Sequence, residues 1–86
     1  MPEVSRFYGI RILIYYRDHM PPHFHAEYRD DEAVFGLPSL LLIEGALTPR
    51  ARGLVVEWAS EHQQELVEAW ERAYRGLPPG KIAPLG

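Results

Sequence analysis

The sequence predicts an α+β fold, a small antiparallel sheet of three to four strands followed by one long C-terminal helix packed on it. Two observations carry this. From about residue 4 to 44, β-branched and aromatic residues form short runs, several of them alternating, separated by turn-prone residues. After Thr48-Pro49 the period changes, and apolar residues recur at helical spacing as far as Ala73. Strands first and a helix afterwards give helices gathered on one face of an antiparallel sheet. With 86 residues, 47% of them hydrophobic, the chain has material for one core, so a single domain over residues 1–86 is expected.

The elements follow in order. Val4 to Arg17, VSRFYGIRILIYYR, reads as strand, with Tyr8, Ile10, Ile12, Ile14 and Tyr16 on one face and Arg11, Leu13, Tyr15 and Arg17 on the other. Gly9 suggests a bulge that splits the segment into a short arm and a longer strand. HFHAEY, residues 23–28, is expected to return antiparallel across a connection near Asp18–Pro22. EAVFGL, residues 32–37, gives a third strand. LLLIE, residues 40–44, gives either a fourth strand or a buried extended segment.

Thr48 suits a helix N-cap, Pro49 the first helical position, and Gly76 a left-handed C-cap before Pro78-Pro79. One helix over about 49–75 is therefore expected. Gly53 has no evident purpose inside it and costs up to ~1 kcal/mol relative to Ala. In the short tail KIAPLG, Ile82 and Leu85 are suited to pin the end of the chain to the body.

Composition excludes several classes. Without Cys there is no disulfide, no thiolate metal site and no Cys nucleophile, which fits a cytoplasmic protein. No leader pattern and no run of 18 apolar residues stands out, so neither a signal peptide nor a membrane span is expected. A formal net charge of -3 argues against a large basic surface for duplex nucleic acid. Charge is unevenly spread: Arg6, Arg11, Arg17 and Arg29 lie within residues 1–29. Glu57, Glu61, Glu65, Glu68 and Glu71 follow one another with no Lys or Arg between them.

The densest concentration of chemistry is DHMPPHFHAEY, residues 18–28, which holds His19, His23, His25 and Glu27 around Pro21-Pro22. The prolines fix two φ angles and remove two backbone donors, which stiffens the turn. Alternation after them puts His23, His25 and Glu27 on one face and Phe24, Ala26 and Tyr28 on the other. The fourth histidine, His62, falls in the apolar arc of the helix between Trp58 and Leu66. It is either a satisfied histidine against the sheet or a third member of the His23/His25 cluster. If Phe24 and Tyr28 face the core, the strand histidines point away from it.

Three kinds of chemistry fit these residues. Acid–base catalysis, as in metal-independent RNA cleavage, would draw on His23 and His25 with Arg11 or Arg17 as cation and Tyr15 or Tyr16 nearby, Arg11 and Tyr16 being preferred. Metal binding would draw on His23 and His25, with Glu27, His19 or His62 as a third ligand, and with zinc or another divalent ion; no cofactor is otherwise expected. Binding of a partner would draw on His19, Glu27, Glu57, Glu61, His62 and Glu65. The bland reading is a stiff hairpin whose histidines cap backbone groups. Whether the chain is an enzyme stays open at this level.

The opening PEVSRFYGIRILIYYRDHMPPHFHAEY, the helical VVEWASEHQQEL and the closing KIAPL resemble the bacterial domain-of-unknown-function 4160 family. PPHFH, Pro21 to His25, is the most specific of these features, and Glu57 to His62, EWASEH, supports it. The resemblance implies a small stand-alone protein, often encoded beside a second small protein, in a toxin–antitoxin-like pair. It implies a protein partner, leaves RNA possible, and brings no reaction or active site with it.

Overall fold

The structure, a computed structural model, describes residues 3–86. The class is α+β, as the sequence predicts, with five strands and two helices in the order β1 (Glu3–Phe7), β2 (Ile10–Leu13), β3 (His23–Tyr28), β4 (Asp31–Gly36), β5 (Leu42–Gly45), α1 (Pro49–Glu61) and α2 (Gln63–Tyr74). The strands form one antiparallel meander in the order β1-β2-β3-β4-β5.

The extra strand comes from Gly9. Tyr8 and Gly9 both have positive φ, 50° and 80°, and Phe7 pairs with Ile10. A two-residue loop with both central residues left-handed is the tight hairpin turn whose twist matches that of its strands. The segment expected to be one strand with a bulge therefore reverses on itself. Ile10, Ile12 and Ile14 are buried in the core, but Tyr8 lies in the turn and is exposed. β2 ends at Leu13 instead of continuing to Arg17. Arg17 has φ 52°, and its amide donates to the Ala73 carbonyl at 2.9 Å, so the chain leaves the sheet to reach α2. Tyr16 is exposed in the same excursion.

The last strand settles the alternative left open for residues 40–44. β5 is an edge strand, and two apolar residues there are exposed, Leu41 just before it with 69% of its surface accessible and Ile43 within it with 52%. The helical segment begins where predicted. Thr48 Oγ1 accepts the Ala51 amide at 3.2 Å, and Pro49 occupies the first turn. It is divided at His62, whose φ of -130° breaks the helical path and whose amide bonds to Ala59, three residues back. α2 ends in a Schellman pattern: Gly76, φ 83°, bonds to Ala73 and Leu77 bonds to Arg72.

The core lies between the helices and one face of the sheet. Trp58 is fully buried and meets Phe7 at 5.2 Å and Phe24 at 6.3 Å between ring centroids, while Phe24 stacks on Phe35 at 5.4 Å. The Trp58 indole N–H donates to the Ala83 carbonyl at 2.7 Å. The tail is held as predicted, with Ile82 buried and its amide bonded to the Val4 carbonyl at 2.8 Å. Lys81 Nζ donates to the Glu3 carbonyl and Tyr8 Oη to the Gly86 carbonyl, so the tail contacts β1 at both ends.

Candidate functional site

β3 divides its side chains as the alternation predicts. Phe24 and Ala26 are fully buried in the core, and His23, His25 and Glu27 lie on the face away from the helices. The register extends that outer face sideways: His25 pairs with Leu13 on β2 and Val34 on β4, and Glu27 pairs with Arg11 and Glu32. The histidines there are nevertheless sheltered, and His23 keeps only 6% of its surface accessible. The connection from β2 to β3 brings Asp18 and Tyr15 to these histidines; the Tyr15 ring meets that of His25 edge-on at 4.6 Å.

The centre is built from His23, His25 and Asp18. His23 Nε2 lies 2.8 Å and His25 Nε2 3.4 Å from the same oxygen, Asp18 Oδ2. The other ring nitrogens face acceptors too: His23 Nδ1 is 2.6 Å from the Pro21 carbonyl oxygen, and His25 Nδ1 is 3.3 Å from Glu32 Oε2. The His19 amide donates to Asp18 Oδ1 at 2.9 Å. Burial pushes the Asp18 carboxyl up, but the His19 amide and the His23 and His25 side chains together hold it below its ordinary value. Burial also raises the Tyr15 phenol, with Glu27 and Glu32 adding to the effect. One potential ligand atom each from Asp18, His23 and His25 lies within 4.8 Å of the others.

A cavity of about 180 Å³ opens in front of these groups, walled also by His19, Pro21, Val34, Ile43 and Glu44. A second hollow, about 230 Å³, adjoins it through His25, Val34 and Glu44 and is bordered by Glu32. Neither hollow is lined by Lys or Arg.

The remaining candidates are dispersed. Arg11 lies on the outer face but is held by two carboxylates, Glu3 at 3.0 Å and Glu27 at 2.8 Å. Glu27 is thereby occupied by Arg11. Tyr16 lines a separate hollow with Glu3 and Pro78–Lys81; its neighbour Tyr15 is the tyrosine beside His25. His19 borders the first cavity with its side chain largely in solvent, its Nδ1 3.0 Å from Asp18 Oδ1. Glu57 and Glu61 are exposed on α1.

His62 does not join the strand histidines. It packs beside Trp58, at 5.4 Å between rings, and hydrogen-bonds to Glu65, on the helical side of the sheet. Of the alternatives for His62, the structure places it apart from His23 and His25, because β3 turns its histidines away from the core that His62 borders, and it is Asp18 that lies beside them. Asp18 was the residue the spacing concealed. Its signal was an acid at the start of the Pro-Pro turn, five positions before His23, where the turn folds it back onto the strand.

Together these features define a small α+β protein whose one-sided helical layer leaves a histidine–carboxylate centre on the open face of its sheet. Residues 9–71 match the model of the domain of unknown function DUF4160, and the chain belongs to that family. No curated protein and no solved structure gives a match. Among the described residues, no helix is long and apolar enough to cross a membrane.

Proposed function

We propose that this protein is a partner-binding module, one member of a toxin–antitoxin-like pair, and that it binds through the β5 edge and the outer face beside it. The observation that carries this is the asymmetry of the sheet. Helices cover the inner face and the tail contacts β1 at both ends, whereas β5 presents backbone groups together with exposed Leu41 and Ile43. An edge strand of this kind is a template for a strand from another chain, with main-chain bonds for affinity and side-chain pockets for specificity. Asp18, Glu32 and Glu44 around the adjoining hollows favour a partner segment that carries basic residues.

The same acidic surroundings weigh against the metal-independent ribonuclease reading. Phosphate contacts drive nucleic-acid affinity, and Arg11, the nearest candidate cation, is committed to Glu3 and Glu27.

The test is co-purification with the small protein expected to be encoded beside this one. Ile43→Lys, which places a charge on the edge, is expected to abolish the complex while leaving the melting temperature of the free protein within a few degrees. A complex that survives Ile43→Lys and Leu41→Lys together would reject the β5 edge as the docking surface.

A further inference from the structure

We propose that Asp18, His23 and His25 form a site for one divalent transition-metal ion of the zinc class, bound by Asp18 Oδ2 and the two histidine Nε2 atoms. The reasoning starts from hydrogen-bond bookkeeping. A backbone carbonyl can only accept, so the 2.6 Å contact from His23 Nδ1 to Pro21 requires the proton on Nδ1. In the neutral ring Nε2 is then a lone pair, and it faces the Asp18 carboxylate at 2.8 Å. His25 lies between two carboxylates, Glu32 at Nδ1 and the same Asp18 oxygen at Nε2, so a single proton leaves one of its two contacts without a donor. In each neutral ring, one nitrogen lone pair therefore faces a carboxylate oxygen unless something positive lies between them.

Protons alone answer this poorly. Satisfying all four ring-nitrogen contacts with protons would take two imidazolium rings, 5.2 Å apart between centroids, converging on one oxygen. A single divalent cation satisfies all three groups at once. Zinc–nitrogen and zinc–oxygen bonds of about 2.0–2.1 Å in a tetrahedral array put ligand atoms about 3.3 Å apart. The two nitrogen-to-oxygen separations here, 2.8 and 3.4 Å, straddle that value.

The surroundings fit as well. Histidines that ligate a metal through one nitrogen usually donate the other N–H to a carbonyl or carboxylate, which fixes tautomer and orientation. Pro21 supplies the carbonyl for His23 and Glu32 the carboxylate for His25. The donor set of two imidazoles and one carboxylate, with no thiolate, suits zinc, iron(II), cobalt(II) or nickel(II) rather than calcium or magnesium. Three protein ligands leave a coordination position, and the 180 Å³ cavity lies in front of them. That is the pattern of a site that exchanges a water or a small ligand, not of a closed structural site.

The test uses the full chain after treatment with a chelator, titrated with Zn²⁺ by calorimetry and with Co²⁺ by visible absorption. One equivalent is expected to bind. Asp18→Asn and His25→Ala are each expected to weaken binding by at least about 100-fold. Glu32→Gln, which removes a partner of a ligand, is expected to weaken it 10- to 100-fold. His62→Ala, which alters the unrelated His62–Glu65 pair, is expected to change affinity by less than about threefold, as its ring lies on the other side of the sheet. Nitrogen NMR of the unmodified protein keeps the proposal testable if a variant fails to fold. Zinc should shift Nε2 of His23 and His25 while Nδ1 stays protonated. No saturable binding at one equivalent, equal affinity in Asp18→Asn and wild type, or two rings that remain doubly protonated in zinc would overturn it.

Discussion

Asp18 and His23 are joined at 2.8 Å although they belong to different parts of the chain's path, one to the loop leaving β2 and the other to the first residue of β3. The contact closes the Pro-Pro turn upon itself and shelters a histidine on the solvent side of the sheet. It also makes Asp18 a contributor to stability whose effect depends on pH.

Because the Asp18 carboxyl is held below its ordinary value in the folded state, its contribution is present in full above the unfolded value, near 3.9, and is lost as pH falls through the folded value. In metal-free protein Asp18→Asn is expected to destabilise by roughly 1.5–3 kcal/mol at pH 7, as for a hydrogen bond to a charged group. Urea unfolding of both proteins at intervals between pH 7 and pH 2 checks this. The gap should hold down to about pH 5 and narrow below pH 4; a gap that widens on acidification contradicts the sign.

Two glycines should respond in opposite directions to alanine. Gly53 faces open space within α1, so Gly53→Ala is expected to stabilise by about 0.5–1 kcal/mol. Gly45 has φ 76°, and an added Cβ would stand 2.1 Å from the Glu32 carbonyl oxygen. Gly45→Ala is therefore expected to cost more than 1–2 kcal/mol and to disturb the β4–β5 pairing. Thermal melts of the pair decide both signs in one experiment.

Trp58 carries two separable roles. Trp58→Ala should cost about 3–5 kcal/mol through the cavity it leaves. Trp58→Phe keeps most of the ring packing but removes the N–H that holds Ala83, and should cost about 1–2 kcal/mol plus repacking. Hydrogen exchange would separate them: the Ile82 amide should exchange faster in Trp58→Phe, with the β3 amides little changed.

Helix entry at Thr48 offers a fourth check. Thr48→Ala is expected to cost about 1 kcal/mol by leaving the Ala51 amide without its side-chain acceptor. Thr48→Ser should restore most of it, as judged by denaturant midpoints.

Much of this fold is legible in sequence because local rules and tertiary demands agree. Thr48-Pro49 and Gly76 mark helix ends with side-chain and backbone chemistry that needs no distant partner. Alternation in HFHAEY likewise separates Phe24 and Ala26 from His23 and His25, and the structure makes the Phe24 face the core. The departures come where one residue does more than its pattern shows. Tyr8 adopts a positive φ that aromatic residues seldom take, so a hairpin looked like a bulge. His62 matches the helical period yet breaks the helix, since spacing says nothing about φ. Asp18 reaches His23 through the path of residues 14–22, which no local period encodes. Tyr15 and Tyr16 are equivalent by composition, and only that same path separates them.

The strand order has a kinetic consequence. Each strand pairs with its neighbour in sequence, so the sheet can grow by successive hairpins with short loop closures, the arrangement that favours rapid folding. The tail stands apart from this pattern: the contacts from Tyr8 to Gly86 and from Lys81 to Glu3 each span 78 positions. These contacts join opposite ends of the described chain, so they are stable only once the sheet and helices between them have brought those ends together.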